Sequence, residues 1–110
     1  MESKEFPKAT VFSFEKSVDY NEGAIVSKNV LKKETGNISL FAFDKGESLS
    51  PHTAPYDALV DIVDGKAEII IDGKSYFPEC GESIIMPAGI MHAVKAPEKF
   101  KMVLTMIKSK

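Results

Sequence analysis

The sequence predicts an all-β fold, a small sandwich or barrel. Short segments rich in β-branched and aromatic residues recur along most of the 110-residue chain, and turn signals separate them. No window carries apolar residues at helical spacing over the roughly 10 to 12 residues that a helix needs. Short strands at such a spacing are typical of a sandwich or a closed barrel.

The chain has room for one domain, because domains are typically at least 50 residues long and most exceed 100. We expect residues 1–9 to form an N-terminal arm and residues 10–110 to form a single barrel domain. A turn signal at Glu34–Asn37 separates two of the first strands. The first three predicted strands are Val11–Phe14, Ala24–Leu31 and Ile38–Phe43.

Two Asp-Gly dipeptides, Asp64-Gly65 and Asp72-Gly73, predict hairpin turns in the second half of the chain. Both residue types tolerate the positive φ of a type I′ turn, whose twist matches that of the flanking strands. We therefore expect a three-stranded meander around these turns, followed by three more strands. The predicted strands are Tyr56–Val63, Ala67–Ile71, Lys74–Phe77, Ser83–Met86, Met91–Ala96 and Phe100–Ile107.

Alternation between apolar and polar residues fails in two of these strands, at Ile69–Ile71 and Ile84–Met86. Consecutive apolar residues predict that both faces of these strands are covered, one by the core and the other by a loop or a partner chain. A single thick core in a monomer explains the same pattern, so self-association and a monomer both remain open.

The charged residues of the chain limit the partners that it can bind. The 14 basic residues are all lysine and face 16 carboxylates, for a net charge of -2, and no basic block is present. Nucleic acid is not an expected partner, because binding it needs a basic surface. Without arginine, an anionic ligand must be held by lysine or backbone N–H groups.

The location of the protein is expected to be cytoplasmic. Cys80 is the single cysteine, so no intramolecular disulfide indicates an oxidising compartment. Met1–Phe6 includes two acidic residues and no apolar run follows it, which is unlike a signal peptide. No stretch approaches the roughly 20 apolar residues of a membrane helix, so no membrane association is expected.

His52 and His92 are the only histidines, and each lies in a segment punctuated by glycine and proline. The segment Gly46–Ala54, with Gly65 further on, resembles the first cupin motif, and Gly81–His92 resembles the second, Gly-x5-Pro-x-Gly-x2-His. This resemblance implies a cupin-type double-stranded β-helix, that is, a jelly-roll barrel. It covers most of the chain, since strands continue on both sides of the two motifs.

The resemblance also implies a metal site with four ligand positions, which in this chain are His52, Ala54, Ala58 and His92. Methyl groups coordinate nothing, so the expected site is a degenerate one with two histidines. A divalent transition metal would be weakly bound there or absent, because two protein imidazoles hold it far less tightly than three or four ligands. No cofactor is therefore certain. Asp57 and Tyr56 are lesser candidates beside this site.

Three functions remain open. The first is metal-independent binding of a small, partly apolar molecule in the barrel pocket, with His52, Tyr56 and His92 as ligand-binding residues. The second is a metal-dependent enzyme of the isomerase or dioxygenase type that uses both histidines and open coordination positions. The third is a structural barrel with a vestigial pocket. The sequence does not decide whether the protein is an enzyme. The resemblance to cupins implies that two chains pair, so a homodimer is expected.

Overall fold

The computed structural model describes residues 5–109, which form nine β-strands and no helix. The strand at Ile25–Lys33 pairs with the next across a short turn, which confirms the turn predicted at Glu34–Asn37. The strands are β1 Ile25–Lys33, β2 Gly36–Phe43, β3 Ser48–His52, β4 Ala58–Gly65, β5 Glu68–Ile71, β6 Lys74–Tyr76, β7 Ser83–Met86, β8 His92–Lys95 and β9 Phe100–Ile107.

The strands form two antiparallel sheets that pack face to face. One sheet has five strands in the order β1-β2-β9-β4-β7, and the other has four in the order β3-β8-β5-β6. Successive strands after β2 alternate between the sheets, except for the β5–β6 hairpin. This crossing between two sheets is the jelly-roll arrangement, so the predicted all-β barrel is confirmed.

The core fills the space between the two sheets. Phe43 of β2 and Phe100 of β9 stack with ring centroids 4.5 Å apart, and both are fully buried. Ile69 and Val94 pack against them from the other sheet. Because side chains alternate along a strand, these inward residues identify the faces that form the interior of the barrel.

The N-terminal segment covers part of the outer face of the five-stranded sheet. Residues 5–24 form no strand, so the strand predicted at Val11–Phe14 is wrong. Its aromatic residues instead pack edge to face, Phe12 against Phe6 and Phe14, beside a second core that includes Val18. The alternation that suggested a strand reflects an irregular segment lying on an apolar sheet face.

Several polar contacts fix this segment to the sheet. The Tyr20 hydroxyl donates a hydrogen bond to Asp64, and the buried Lys101 donates through Nζ to the Glu15 carbonyl at 2.6 Å. Burial and the Asp64 carboxylate raise the pKa of Tyr20, so the phenol stays protonated. Residues 5–9 of the predicted arm also contact β1, since the Phe6 N–H donates to the Val30 carbonyl. Residues 1–4 of that arm lie outside the described residues.

The two Asp-Gly dipeptides have different structures. Asp72 and Gly73 have φ of 51° and 80° and join β5 to β6, which confirms that hairpin. The hairpin predicted at Asp64-Gly65 is wrong, because Gly65 still pairs with Phe100 in β9 and the chain then crosses to the other sheet. The predicted meander is therefore also wrong: β4 pairs with β7 and β9 rather than with β5.

Gly65 is required by a close backbone approach. A Cβ at this position would lie 2.0 Å from the Lys99 carbonyl oxygen, and the residue has a φ of +73°. The glycine therefore permits the end of β4 to lie directly against the start of β9.

Two strand-level predictions need correction. β3 was missed, because it is short and contains Pro51, which is tolerated on an edge strand of this kind. Burial of both faces is confirmed only in part at Ile69–Ile71, where Ile69 is buried and the other two are half-buried. In the second strand this chain leaves Ile85 60% exposed, so only a partner chain would cover that face. Within residues 5–109 no helix is long and apolar enough to cross a membrane.

Candidate functional site

The fold brings the two histidines together at one end of the barrel. His52 is the last residue of β3 and His92 is the first residue of β8. They are cross-strand partners in the antiparallel β3–β8 pair. His92 has the same parity along β8 as the core residue Val94, so its side chain lies on the interior face.

The imidazole rings meet through their Nε2 atoms, which lie 3.1 Å apart. The ring centroids are 4.4 Å apart and the ring planes are inclined at 70°. Each Nδ1 lies near a backbone carbonyl two residues earlier, at 2.9 Å from the Ser50 oxygen for His52 and at 3.3 Å from the Ile90 oxygen for His92.

These contacts favour one tautomer for each neutral ring. A carbonyl oxygen only accepts, so each Nδ1 carries its proton and donates it to the carbonyl. When both rings are neutral, each Nε2 then presents a lone pair, and the two lone pairs of His52 and His92 point at the same region. Converging lone pairs repel, so this arrangement favours a proton, a hydrogen-bond donor or a cation between or beside the two nitrogens.

The two rings differ in exposure. His92 is only 5% exposed, whereas His52 is exposed to solvent. Burial lowers the pKa of His92, the neighbouring His52 lowers it further, and the Ile90 carbonyl opposes both effects. His92 is therefore the ring that stays neutral, and His52 is the ring that a ligand reaches from solvent.

The alanines that replace ligating residues are also placed at this end of the barrel. Ala58 is buried, and Ala54 is half-buried with its carbonyl accepting a hydrogen bond from the Gly89 N–H at 2.8 Å. That bond joins the loop after β3 to the loop before β8. Both side chains are methyl groups, so neither residue can coordinate a metal ion.

Asp57 has a structural contact instead of a ligand position. Its Oδ1 accepts a hydrogen bond from the Ala88 N–H at 2.8 Å, which ties the same two loops together a second time. Within residues 5–109, no hydrogen bond or ring contact joins the half-buried Tyr56 to either histidine.

The donor set fits part of a metal site. With metal–nitrogen distances of about 2.0 to 2.1 Å, two imidazoles in neighbouring positions of a tetrahedral or octahedral ion have nitrogens about 2.8 to 3.4 Å apart. The separation of 3.1 Å between the His52 and His92 Nε2 atoms falls in this range. In the part of the chain that the structure describes, no group of three or more His, Cys, Asp or Glu side chains converges. The residues therefore fit two positions around an ion but not a resident centre with three or four protein ligands.

Sequence reasoning did not reveal the groups that orient the pair. The carbonyls of Ser50 and Ile90 orient the imidazoles, and the Asp57 carboxylate secures the loop before His92. A backbone carbonyl has no signature in the sequence. Asp57 was a candidate only because it is next to an expected ligand position in the sequence, and its hydrogen bond to the loop before His92 was not predicted.

The chain is similar in sequence and structure to known cupins. The family described as the cupin domain matches residues 39–108. A conserved protein of unknown function from Streptococcus pyogenes is 34% identical, with a TM-score of 0.92 and coverage of 100% of this chain and 97% of that one. A cupin superfamily protein from Desulfitobacterium hafniense is 25% identical, with a TM-score of 0.89 and coverage of 99% and 100%.

A cupin 2 conserved barrel domain protein from Leptotrichia buccalis is 46% identical with a TM-score of 0.86. The match covers 88% of this chain but only 47% of that protein, so the chain spans about half of its length. No curated protein matches the chain significantly. The family match spans more than half of the chain, from β2 to the end of β9. The chain belongs to the cupin domain family.

Proposed function

We propose that this protein binds a small, partly apolar molecule at the end of the barrel where His52 and His92 meet. The ligand presents a hydrogen-bond donor, such as a hydroxyl group, to the two Nε2 atoms. Metal is not required for this binding, and a divalent transition metal binds the same nitrogens only weakly.

The observation that carries this proposal is the convergence of the two Nε2 atoms at 3.1 Å while both Nδ1 atoms face carbonyls. A hydrogen-bond donor of the ligand, approaching from the solvent-exposed side of His52, would relieve the repulsion between the two Nε2 lone pairs. Ala54 carries a methyl group where a coordinating side chain would compete with the ligand. A few convergent polar groups beside apolar side chains are typical of a small-molecule site.

Tyr56 remains a predicted third contact. It is half-buried and lies in the loop between β3 and β4 that also carries Ala54. No hydrogen bond or ring contact joins it to either histidine in the described residues, so its contribution is expected to be smaller than theirs.

Thermal-shift screening with a library of small hydroxylated compounds tests the binding function. Hits should raise the melting temperature of the metal-free protein, and His52→Ala and His92→Ala should each remove the shift. Thr53→Ala, a substitution of the exposed residue beside His52, is the matched control and should retain it. Hits that survive both histidine substitutions would place the ligand elsewhere and refute the proposal.

A metal-dependent enzyme is the second candidate, and the specific observation that favours it is the spacing of the two nitrogens. The residues His52 and His92 would hold the ion in neighbouring positions, and the ion would supply Lewis acidity toward an oxygen-rich substrate. The exposed side of His52 leaves room for such a substrate.

Metal content measured by mass spectrometry distinguishes the two candidates. The protein must be purified without a histidine tag, and then incubated with Mn, Fe, Ni, Cu or Zn and dialysed extensively. Binding without metal predicts less than one equivalent after dialysis. One full equivalent that is lost in both His52→Ala and His92→Ala would instead favour the enzyme.

A further inference from the structure

A groove lies on the outside of the barrel, on the four-stranded sheet. It is a groove of about 370 Å³ in which His92 is the only residue shared with the histidine pair. Its other lining residues include Ser48 and Ser50 of β3 and Ala93 and Lys95 of β8. Ser48, Ala93 and Lys95 alternate with Leu49 and Val94, which pack in the core, so the side chains of these three residues point away from the interior. The groove therefore lies on the outer face of β8 and reaches His92, the first residue of that strand.

The depth of this outer groove follows from Ala93. Its side chain points outward, yet it is only 4% exposed. Neighbouring side chains, including the half-buried Ile70 of β5 and the half-exposed Met91, rise above it as walls. An outward methyl group that solvent barely reaches is the floor of a pocket rather than part of a flat sheet face. The volume lies within the range of small-molecule sites, about 300 to 1,000 Å³.

The polar groups of the outer groove are one ammonium and two hydroxyls. Lys95 is the cross-strand partner of Ser48 on one side and of Glu68 on the other. The Glu68 carboxylate accepts a hydrogen bond from the Ser75 hydroxyl at 2.7 Å. Among residues 5–109, no carboxylate oxygen lies within 4.0 Å of the Lys95 Nζ. The groove thus carries a cation without an ion-pair partner in the described chain, beside an apolar floor.

We propose that the outer groove binds a small aliphatic monocarboxylate. The carboxylate accepts from the Lys95 ammonium and from the hydroxyl of Ser48 or Ser50, and the hydrocarbon part lies on Ala93 and Ile70. A single lysine suits one negative charge. Phosphate dianions are typically held by several donors or by the planar guanidinium of arginine, which this chain lacks.

Hexanoate is a suitable probe, and the experiment is a titration of ¹⁵N-labelled protein followed by NMR chemical shifts. Saturable shifts are expected at the amides of Ser48, Ser50, Ile70 and Ala93. Hexan-1-ol should bind more weakly and hexylamine weakest, because the first lacks the charge and the second repels Lys95.

Two variants and a control test the placement. Lys95→Gln should weaken hexanoate binding about tenfold, since a charge-assisted hydrogen bond is lost, while hexan-1-ol binding stays the same. Ala93→Leu should abolish binding of both by filling the floor. Lys45→Gln, which removes the same charge from an exposed lysine outside the groove, should leave hexanoate binding unchanged.

Lys95 is exposed, so Lys95→Gln keeps the test decisive even where Ala93→Leu fails to fold. Non-saturating shifts, or equal binding of hexanoate and hexylamine, would overturn the proposal. Shifts at these amides that depend on protein concentration without hexanoate would also overturn it, because a second copy of the chain would then cover the groove. The inference is independent of the proposed function, since His52→Ala should leave hexanoate binding unchanged.

Discussion

Burial of the His92 side chain makes the stability of the protein depend on pH. Burial lowers its pKa, and the nearby His52 adds to this effect. In the unfolded chain, His92 titrates at its ordinary pKa of about 6.5. Below that pH the unfolded state therefore binds more protons than the folded state, and the free energy of unfolding falls.

The first prediction concerns this pH dependence. The contribution of His92 to stability is fully present above about pH 6.5 and is lost as the pH falls from there toward the lowered folded pKa. Urea unfolding of metal-free protein at pH 7.5 and pH 5.5 measures the effect. His92→Gln should show a smaller loss of stability than the wild type between these pH values. An equal loss in both proteins would contradict the assignment of His92 as a buried neutral ring.

The second prediction concerns the residues at the centre of the core. Phe43 is fully buried and stacks on Phe100, so Phe43→Ala removes a large apolar surface and leaves a cavity. We expect the free energy of unfolding to fall by about 3 to 5 kcal/mol. Phe12→Ala is the control, because Phe12 is 43% exposed, and it should cost about 1 kcal/mol or less. Equal losses in chemical denaturation would show that the two-sheet core does not dominate stability.

At the scale of elements, two glycines that follow an aspartate offer a matched comparison. Gly65 and Gly73 both have positive φ, but a Cβ at Gly73 meets nothing within 4 Å, whereas at Gly65 it meets the Lys99 carbonyl at 2.0 Å. Gly73→Ala should cost about 1 to 2 kcal/mol from its left-handed backbone. Gly65→Ala should cost about 1 to 3 kcal/mol more, because the β4–β9 contact must open. Equal costs in urea unfolding would contradict the crossing described for Gly65.

The same two dipeptides show what local sequence can and cannot predict. The Asp72-Gly73 hairpin follows from local backbone preferences, and it was predicted correctly. Asp64-Gly65 has the same local preferences, but pairing with β9, some 35 residues later in the chain, decides its structure. The Val11–Phe14 prediction failed for a similar reason, since alternation cannot reveal whether a partner strand exists.

The candidate site was also predictable only in part. The positions of His52 and His92 follow from the motifs and from strand alternation, and the structure brings the two side chains together. The carbonyl contacts of Ser50 and Ile90 depend on the local path of the backbone at the strand ends. The outer groove could not be predicted from the sequence. Its floor is Ala93, and an alanine in a strand becomes the floor of a groove only through the side chains that the fold places around it.

On the scale of the whole molecule, the outer face of the five-stranded sheet is covered unevenly. The N-terminal segment lies over residues of β1, β2 and β9, including Val30, Leu40 and Val103. The remaining part, toward the edge strand β7, leaves Leu59 37%, Ile85 60% and Ile107 68% exposed. β7 contains no charged residue or proline of the kind that protects an edge strand.

The last prediction is a homodimer through the β7 edge of this sheet. Pairing of two β7 strands would extend the sheet and bring the Ile85 side chains of both copies together on its outer face, since an edge strand without charged residues or proline favours strand pairing. Light scattering should give about twice the chain mass of 12.1 kDa, and Ile85→Lys should shift the protein toward the monomer. Val11→Lys, at a fully exposed residue on the N-terminal segment, is the control and should leave the dimer intact. A mass of one chain for the wild type at all concentrations would exclude the dimer, and a dimer that survives Ile85→Lys would place the interface elsewhere.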